Sequence, residues 1–124
     1  MPAPAAPPPI VAHAPAPKAA KAAPVPARML VHASEYRLNP SRRVVPAGVL
    51  IIQVKNIGQD DHDLAVRAAN GHILRVTRTL HSGDLGTLRL KLKAGRYWLV
   101  CTIPGHEEHG MVRSFTVKNP ARRR

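Results

Sequence analysis

The chain has 124 residues and a net charge of +12 at pH 7, from 19 basic and 7 acidic residues, so it has room for one ordinary domain and favours acidic partners. Its single cysteine excludes a disulfide bond within the chain, and no apolar run is long enough to cross a membrane. With four aromatic residues and no nucleic-acid-reading motif, nucleic acid is not an expected partner.

Three regions differ in composition. Residues 1–28 are mostly proline, alanine and lysine, and such a segment buries too little apolar surface to offset its ordering entropy. We therefore expect a disordered linker over 1–28, a domain over 29–120 and a basic tail over 121–124. Residues 29–120 hold 13 basic and 7 acidic residues, so the domain alone carries +6.

The domain consists of short strand-like segments separated by turn signals, without a sustained helical period. Leu88, Leu90 and Leu92 alternate with basic residues, which predicts a strand with one buried face. Asn70-Gly71 predicts a hairpin turn, and Tyr97 after a glycine turn fits either a tyrosine corner or an ordinary edge tyrosine. The predicted strands are 30–38, 49–56, 62–68, 72–77, 88–93, 96–102 and 112–118. Seven such strands predict an all-β antiparallel sandwich or barrel.

Metal-ligating side chains are concentrated between the last two predicted strands. Cys101, His106 and Met111 follow one another with four residues in each interval, and His62 lies upstream after a glycine turn. Thiolate and thioether sulfur favour Cu(I), whereas imidazole serves both oxidation states. Two histidines and a cysteine in a plane, with a weak axial methionine, are the ligand set of a blue-copper site. The pattern predicts one copper ion held by these four residues.

Three segments resemble the cupredoxins, the small type 1 blue copper proteins that include plastocyanin, azurin and the auracyanins. They are NIGQDDHDL over 56–64, GRY over 95–97 and CTIPGHEEHGM over 101–111, and the similarity spans about residues 30–117. The resemblance implies a Greek-key β-sandwich, one type 1 copper ion cycling between Cu(I) and Cu(II), and a role in single-electron transfer.

The resemblance also implies residues that support the ligands. Asn56 begins the Asn-x-Gly turn that leads to the first histidine. Asp63 stands where many members have an asparagine that ties the two ligand loops together, and we expect its carboxylate to accept N–H bonds from the backbone near Thr102. Arg113 stands where many members have glycine.

The leading functional hypothesis is a monomeric electron carrier, not an enzyme, with His106 as the electron exit and an acidic cytochrome or copper enzyme as its partner. Two alternatives remain open: a periplasmic copper carrier or storage protein without electron transfer, and a metal-free basic binding module. Copper–thiolate carriers usually work outside the cytoplasm. We therefore expect a periplasmic or otherwise extracytoplasmic location, with a signal peptide or membrane tether preceding Met1, although the chain shows no signal-peptide pattern.

Overall fold

The computed structural model describes residues 3–5 and 25–120. Within them, nine strands and one short 3-10 helix (Glu107–His109) are present. The strands are β1 (Ala27–Ser34), β2 (Arg37–Pro40), β3 (Val44–Pro46), β4 (Gly48–Asn56), β5 (Ala65–Ala68), β6 (Ile73–Val76), β7 (Leu85–Leu92), β8 (Gly95–Val100) and β9 (Val112–Lys118). None of the described helices could span a membrane.

The strands form two sheets, one with the order β2-β1-β4-β7 and one with the order β3-β9-β8-β5-β6. This confirms the predicted all-β sandwich. The expectation of purely antiparallel pairing was wrong, because β1 pairs with β4 and β3 pairs with β9 in parallel. The alternation of apolar residues shows which face of a strand is buried, but it carries no information on the direction of the neighbouring strand.

Two predicted strands differ from the structure by more than a shift of their ends. The segment predicted as one strand over 30–38 is a hairpin, in which Ser34 pairs with Arg37 across a turn. The strand predicted over 62–68 begins only at Ala65, and His62 instead forms an isolated bridge with Leu80. The short β3 was not predicted at all. Neither glycine nor proline marks the turn between β1 and β2, which explains why this turn was missed.

The predicted boundary at residues 28 and 29 falls inside β1, which begins at Ala27 and pairs there with Leu50 of β4. Most of the predicted linker over 1–28 and the whole tail over 121–124 lie outside the described residues. The predicted disorder of the linker therefore stays a prediction.

The core lies between the two sheets and follows the predicted alternation. In β7, the three leucines 88, 90 and 92 are buried while Arg89 and Lys91 are exposed. On the opposite sheet, Tyr97 stacks on the buried Phe115 with ring centroids 5.7 Å apart. The Tyr97 hydroxyl donates to the Lys93 carbonyl over 2.8 Å, which confirms the tyrosine corner.

The predicted hairpin at Asn70-Gly71 is also present, joining the antiparallel strands β5 and β6. Gly71 has a φ of 90°, a left-handed conformation that glycine adopts without the steric cost that a side chain would bring.

Candidate metal centre

Three potential metal ligands converge at one end of the sandwich. The Nδ1 atoms of His62 and His106 are 3.2 Å apart, and Cys101 Sγ lies 3.6 Å from His106 Nδ1. The donor atoms of these three residues all lie within 4.8 Å of one another. They are the two histidines and the cysteine that the sequence predicted as ligands. His62 comes from the loop between β4 and β5, and Cys101 and His106 come from the segment between β8 and β9.

His62 is positioned by the loop between β4 and β5. Its backbone N–H donates to the Leu80 carbonyl over 3.0 Å, and the Leu80 N–H donates back over 2.6 Å. Asn56 organises the same loop: its Nδ2 donates to the carbonyls of Asp60 and Leu80 at 2.8 and 2.9 Å, and its Oδ1 accepts the N–H of Gly58 at 2.9 Å. The buried Asn56 side chain therefore fixes the path of the chain towards His62.

The segment 101–111, called the ligand loop below, carries the other predicted ligands. Its two ends are joined by a hydrogen bond from the Cys101 N–H to the Met111 carbonyl over 3.1 Å. The Met111 N–H donates in turn to the His106 carbonyl over 3.2 Å. Gly105 and Gly110 have φ values of 85° and 114°, so the tight path of this loop depends on residues without a Cβ.

The predicted ligands differ in their access to solvent. His62 and Met111 are 0% exposed and Cys101 is 1% exposed, whereas His106 is only partly buried. Burial raises the pKa of the Cys101 thiol, opposed by hydrogen bonds from the backbone at Asp63 and Ile103. A bound cation would have to stabilise the thiolate, because the surroundings of the sulfur favour the neutral form.

Asp63 links the two loops that carry the ligands. Its Oδ1 accepts the Thr102 backbone N–H over 2.6 Å, and its Oδ2 accepts the Thr102 hydroxyl. The hydrogen bond expected near Thr102 is therefore present. The role of these two residues in holding a metal stays a prediction.

The turn between β1 and β2 contributes two residues that the sequence did not indicate. Glu35 Oε1 lies 3.1 Å from His62 Nε2, and the Tyr36 ring contacts the rings of His106 and His109 with centroids 5.2 and 4.8 Å apart. No sequence signal could have identified them, because Glu35 precedes His62 by 27 residues and strand pairing alone brings the two together.

An ion pair holds the ligand loop against the five-stranded sheet. Arg67 Nη1 of β5 lies 3.1 Å from Glu107 Oε2, in the residue that follows His106. His109 is exposed and its Nδ1 lies 2.6 Å from the Gly105 carbonyl, so it points back into the loop and does not join the group of donors.

The donor set fits one type 1 copper ion. Two imidazole nitrogens and a thiolate sulfur suit copper, whereas calcium and magnesium require oxygen ligands. Within residues 3–5 and 25–120, the group of converging donors contains no carboxylate. The aspartates at 60, 61 and 63 therefore do not form a hard-cation site together with His62.

Comparison with known proteins bears on the fold of the chain. Residues 76–121 match the model of the sulfocyanin (SoxE) domain, whereas a search of curated proteins gave no match. Three solved structures are similar. Auracyanin from Roseiflexus castenholzii has 20% identity and a TM-score of 0.64, over 74% of this chain and 97% of that one. Auracyanin A, a blue copper protein from Chloroflexus aurantiacus, has 17% identity and a TM-score of 0.65, over 76% and 100%.

The third, rusticyanin from Thiobacillus ferrooxidans, has 17% identity and a TM-score of 0.56, over 73% of this chain and 76% of that one. At these identities the likeness concerns the fold alone. The chain therefore has the cupredoxin fold, and its segment 76–121 matches the sulfocyanin domain.

Proposed function

We propose that the protein is a small blue copper protein that carries single electrons, with one type 1 copper ion held by His62, Cys101, His106 and Met111. The observation that carries the proposal is the convergence of one ring nitrogen from each histidine and the thiol sulfur within 4.8 Å, with the two Nδ1 atoms 3.2 Å apart. Met111 joins the set because its backbone is hydrogen-bonded to both Cys101 and His106, and its side chain is fully buried.

When bound, copper supplies a one-electron couple between Cu(I) and Cu(II). The protein's part is to keep the ligands in one arrangement in both states, so that little reorganisation accompanies transfer. Burial keeps His62, Cys101 and Met111 out of contact with solvent. The hydrogen bonds of Asp63 to Thr102 lock the two loops together.

Electrons would enter and leave through His106. Of the four proposed ligands, His106 is the one that is partly exposed. Ile103 and Pro104 lie beside it in the ligand loop, and the Tyr36 ring packs edge-on against the His106 ring. A partner that docks on this surface would approach the ligand set through a single imidazole. No substrate pocket is needed for this role, and we propose no enzymatic activity.

The experiment is a potentiometric titration of the copper-loaded protein, combined with competition by a Cu(I) chelator. An electron carrier shows a reversible one-electron couple and retains its copper through repeated cycles. A copper carrier or storage protein, the second hypothesis, would release Cu(I) to the chelator or to a copper-accepting protein within the time of one cycle. Absence of a reversible couple would contradict the proposal.

We propose an acidic redox protein, a cytochrome or a copper enzyme, as the partner. Arg89 and Lys91 are exposed along one face of β7, and Arg28 and Arg89 both flank Ile51 of β4. These residues form a basic strip on the outer face of the four-stranded sheet, and a strip of one sign raises the encounter rate with an opposite charge.

The working form we propose is a monomer outside the cytoplasm, in the periplasm or tethered to a membrane surface. The reason is chemical: a copper–thiolate centre is suited to a compartment that does not sequester copper. Residues 29–120 would be the copper-binding domain, extended by the first residues of β1, with residues 1–28 as a spacer and 121–124 as a basic tail. Fractionation of the native host would test the location.

A further inference from the structure

The ring of His62 has a partner on each side. Its Nδ1 faces the other potential ligands, with His106 Nδ1 3.2 Å away. Its Nε2 is the remaining ring nitrogen, and Glu35 Oε1 lies 3.1 Å from it. Because the imidazole is 0% exposed, water cannot replace this carboxylate without a rearrangement of the surrounding chain.

The Glu35 carboxylate is itself held in place. Its Oε1 accepts the backbone N–H groups of Gln59 and Asp60 at 2.8 and 2.5 Å. It also lies so close to the backbone that a Cβ on Gly58 would come within 2.5 Å of both carboxylate oxygens. The loop that leads to His62 thus forms a seat for the carboxylate, and the side chain of Glu35 is 27% exposed at its outer edge.

We infer that Glu35 is a positioning residue for the buried histidine ligand and that its charge lowers the reduction potential of the site. By accepting the Nε2–H, the carboxylate selects the tautomer whose Nδ1 lone pair faces the metal. Such carboxylate–histidine pairs orient the ring and increase its strength as a ligand. The negative charge stabilises Cu(II) more than Cu(I). This inference rests on the proposed function of the site.

A purely architectural role is the competing explanation, in which Glu35 only ties the β1–β2 turn to residues 58–60. The two explanations differ for Glu35→Gln. The amide oxygen can still accept the two backbone N–H groups, so the architecture is retained, but the charge is gone and the hydrogen bond to His62 weakens. Glu35→Ala removes both functions. Glu108→Gln is the matched control, because Glu108 lies exposed in the ligand loop and loses the same charge.

The first measurement uses the copper-free protein, in which the His62 Nε2–H is observed by ¹H–¹⁵N NMR of the imidazole groups. We expect a downfield, slowly exchanging resonance in the wild type, an upfield shift in Glu35→Gln and rapid exchange in Glu35→Ala. Glu108→Gln should leave the resonance in place. An unchanged resonance in both Glu35 variants would overturn the inference, whatever the metal does.

The second measurement is the affinity for Cu(II) and Cu(I) by chelator competition, with thermal unfolding recorded for each variant. Loss of an outer hydrogen-bond partner typically weakens metal binding about 10- to 100-fold, and we expect a loss of this size for Cu(II) in Glu35→Ala. In Glu35→Gln, we expect the Cu(II)/Cu(I) affinity ratio to fall about tenfold, which raises a one-electron potential by about 59 mV. Glu108→Gln should change the ratio much less.

The outcomes separate this inference from the proposed function. If the wild type shows a reversible couple but the ratio in Glu35→Gln equals that of Glu108→Gln, the effect on potential is wrong and the electron carrier stands. If the wild type shows no couple while the Glu35 variants still shift the His62 resonance, the positioning of His62 is supported and the electron carrier fails.

Discussion

Substitution of Met111 tests the weakest bond of the predicted ligand set, the one between its thioether sulfur and copper. The axial thioether bond is long, so most of the binding free energy lies with the two histidines and the cysteine. We expect Met111→Gln to lower the reduction potential and Met111→Leu to raise it, both with the blue colour retained. Leucine has a similar volume, so its cost in folding free energy should stay below about 1.5 kcal/mol. Cyclic voltammetry measures the potentials.

If both Met111 variants keep the wild-type potential, another group occupies the axial position. The reduction potential of an Arg113 variant would then be measured. Arg113 lies in β9, two residues after Met111, and stands where many cupredoxins have glycine.

Asp63 allows a second test at the level of one side chain. Asp63→Ala leaves the Thr102 N–H and hydroxyl without their acceptor, at a cost of roughly 1–3 kcal/mol in folding free energy, and should broaden the electron paramagnetic resonance lines of the Cu(II) form. Asp63→Asn keeps an acceptor and should remain narrow, with a higher potential because a negative charge is removed. Chemical denaturation and the resonance linewidth are measured together. Lines as narrow in Asp63→Ala as in the wild type would make Asp63 a turn residue only.

The candidate ligands could be predicted from the sequence because a cysteine, a histidine and a methionine stand at fixed spacing in one loop. Asp63 was readable because it is next to His62. Glu35 was not readable, since nothing in its neighbours distinguishes it from a solvated surface glutamate. Its contact with His62 depends on how β1 pairs with β4, which local sequence does not specify.

At the level of elements, the close packing of the β1–β2 turn on the loop over 58–60 makes Gly58 sensitive to substitution. In Gly58→Ala, the new Cβ would meet the Glu35 carboxylate at 2.5 Å, and we expect a loss of about 1–3 kcal/mol in folding free energy. In a Glu35→Ala background the same change should cost less, because the colliding carboxylate is gone. Urea denaturation of the four proteins gives the coupling free energy.

An additive result for Gly58→Ala and Glu35→Ala would show that the two elements relax apart without cost. The seat for the carboxylate would then not be rigid, and the positioning of His62 by Glu35 would lose its physical basis.

Elements with a strong local pattern were predicted correctly. The alternation in β7 and the Asn-Gly hairpin each report one face or one turn, and both are present. The β1–β2 turn and β3 were missed because the first has no glycine or proline and the second has only three residues. Strand direction was wrong for two pairs, because it depends on where the chain crosses between the sheets.

At the level of the whole molecule, the charges are segregated. All 7 acidic residues lie outside the strands, in the loops and the short 3-10 helix at the end of the sandwich that holds the candidate ligands. Several of them are paired with basic side chains. Of the 14 basic residues within 25–120, ten lie on the strands, including Arg89 and Lys91 of the outer strip, and four lie in loops. The sequence predicted the net charge, but it could not predict this separation between the basic strip and the electron exit.

The net charge of +6 over residues 29–120 leads to a prediction for partner binding, because long-range steering depends on the whole charge distribution. The bimolecular rate of electron transfer with an acidic cytochrome should fall as salt is added, since the Debye length shrinks to about 10 Å at 0.1 M. Arg89→Gln combined with Lys91→Gln should reduce both the rate at low salt and its salt dependence. The matched control is Arg96→Gln with Lys118→Gln, which removes two exposed basic residues from the other sheet.

A rate that stays flat or rises with salt would show that the basic strip does not steer this partner. Equal effects of the two double variants would mean that net charge matters and its position does not.

The proposed copper centre depends on Cys101 binding copper as a thiolate together with two histidines, and the visible spectrum reports this bond. Copper-free wild type and Cys101→Ser are titrated with Cu(II), and circular dichroism confirms that both are folded. A short thiolate–copper bond gives intense charge-transfer absorption, so the wild type should turn strongly coloured and saturate at one copper per chain. Cys101→Ser should bind copper weakly and stay nearly colourless. A colourless wild type, or the same spectrum from Cys101→Ser, would contradict the assignment.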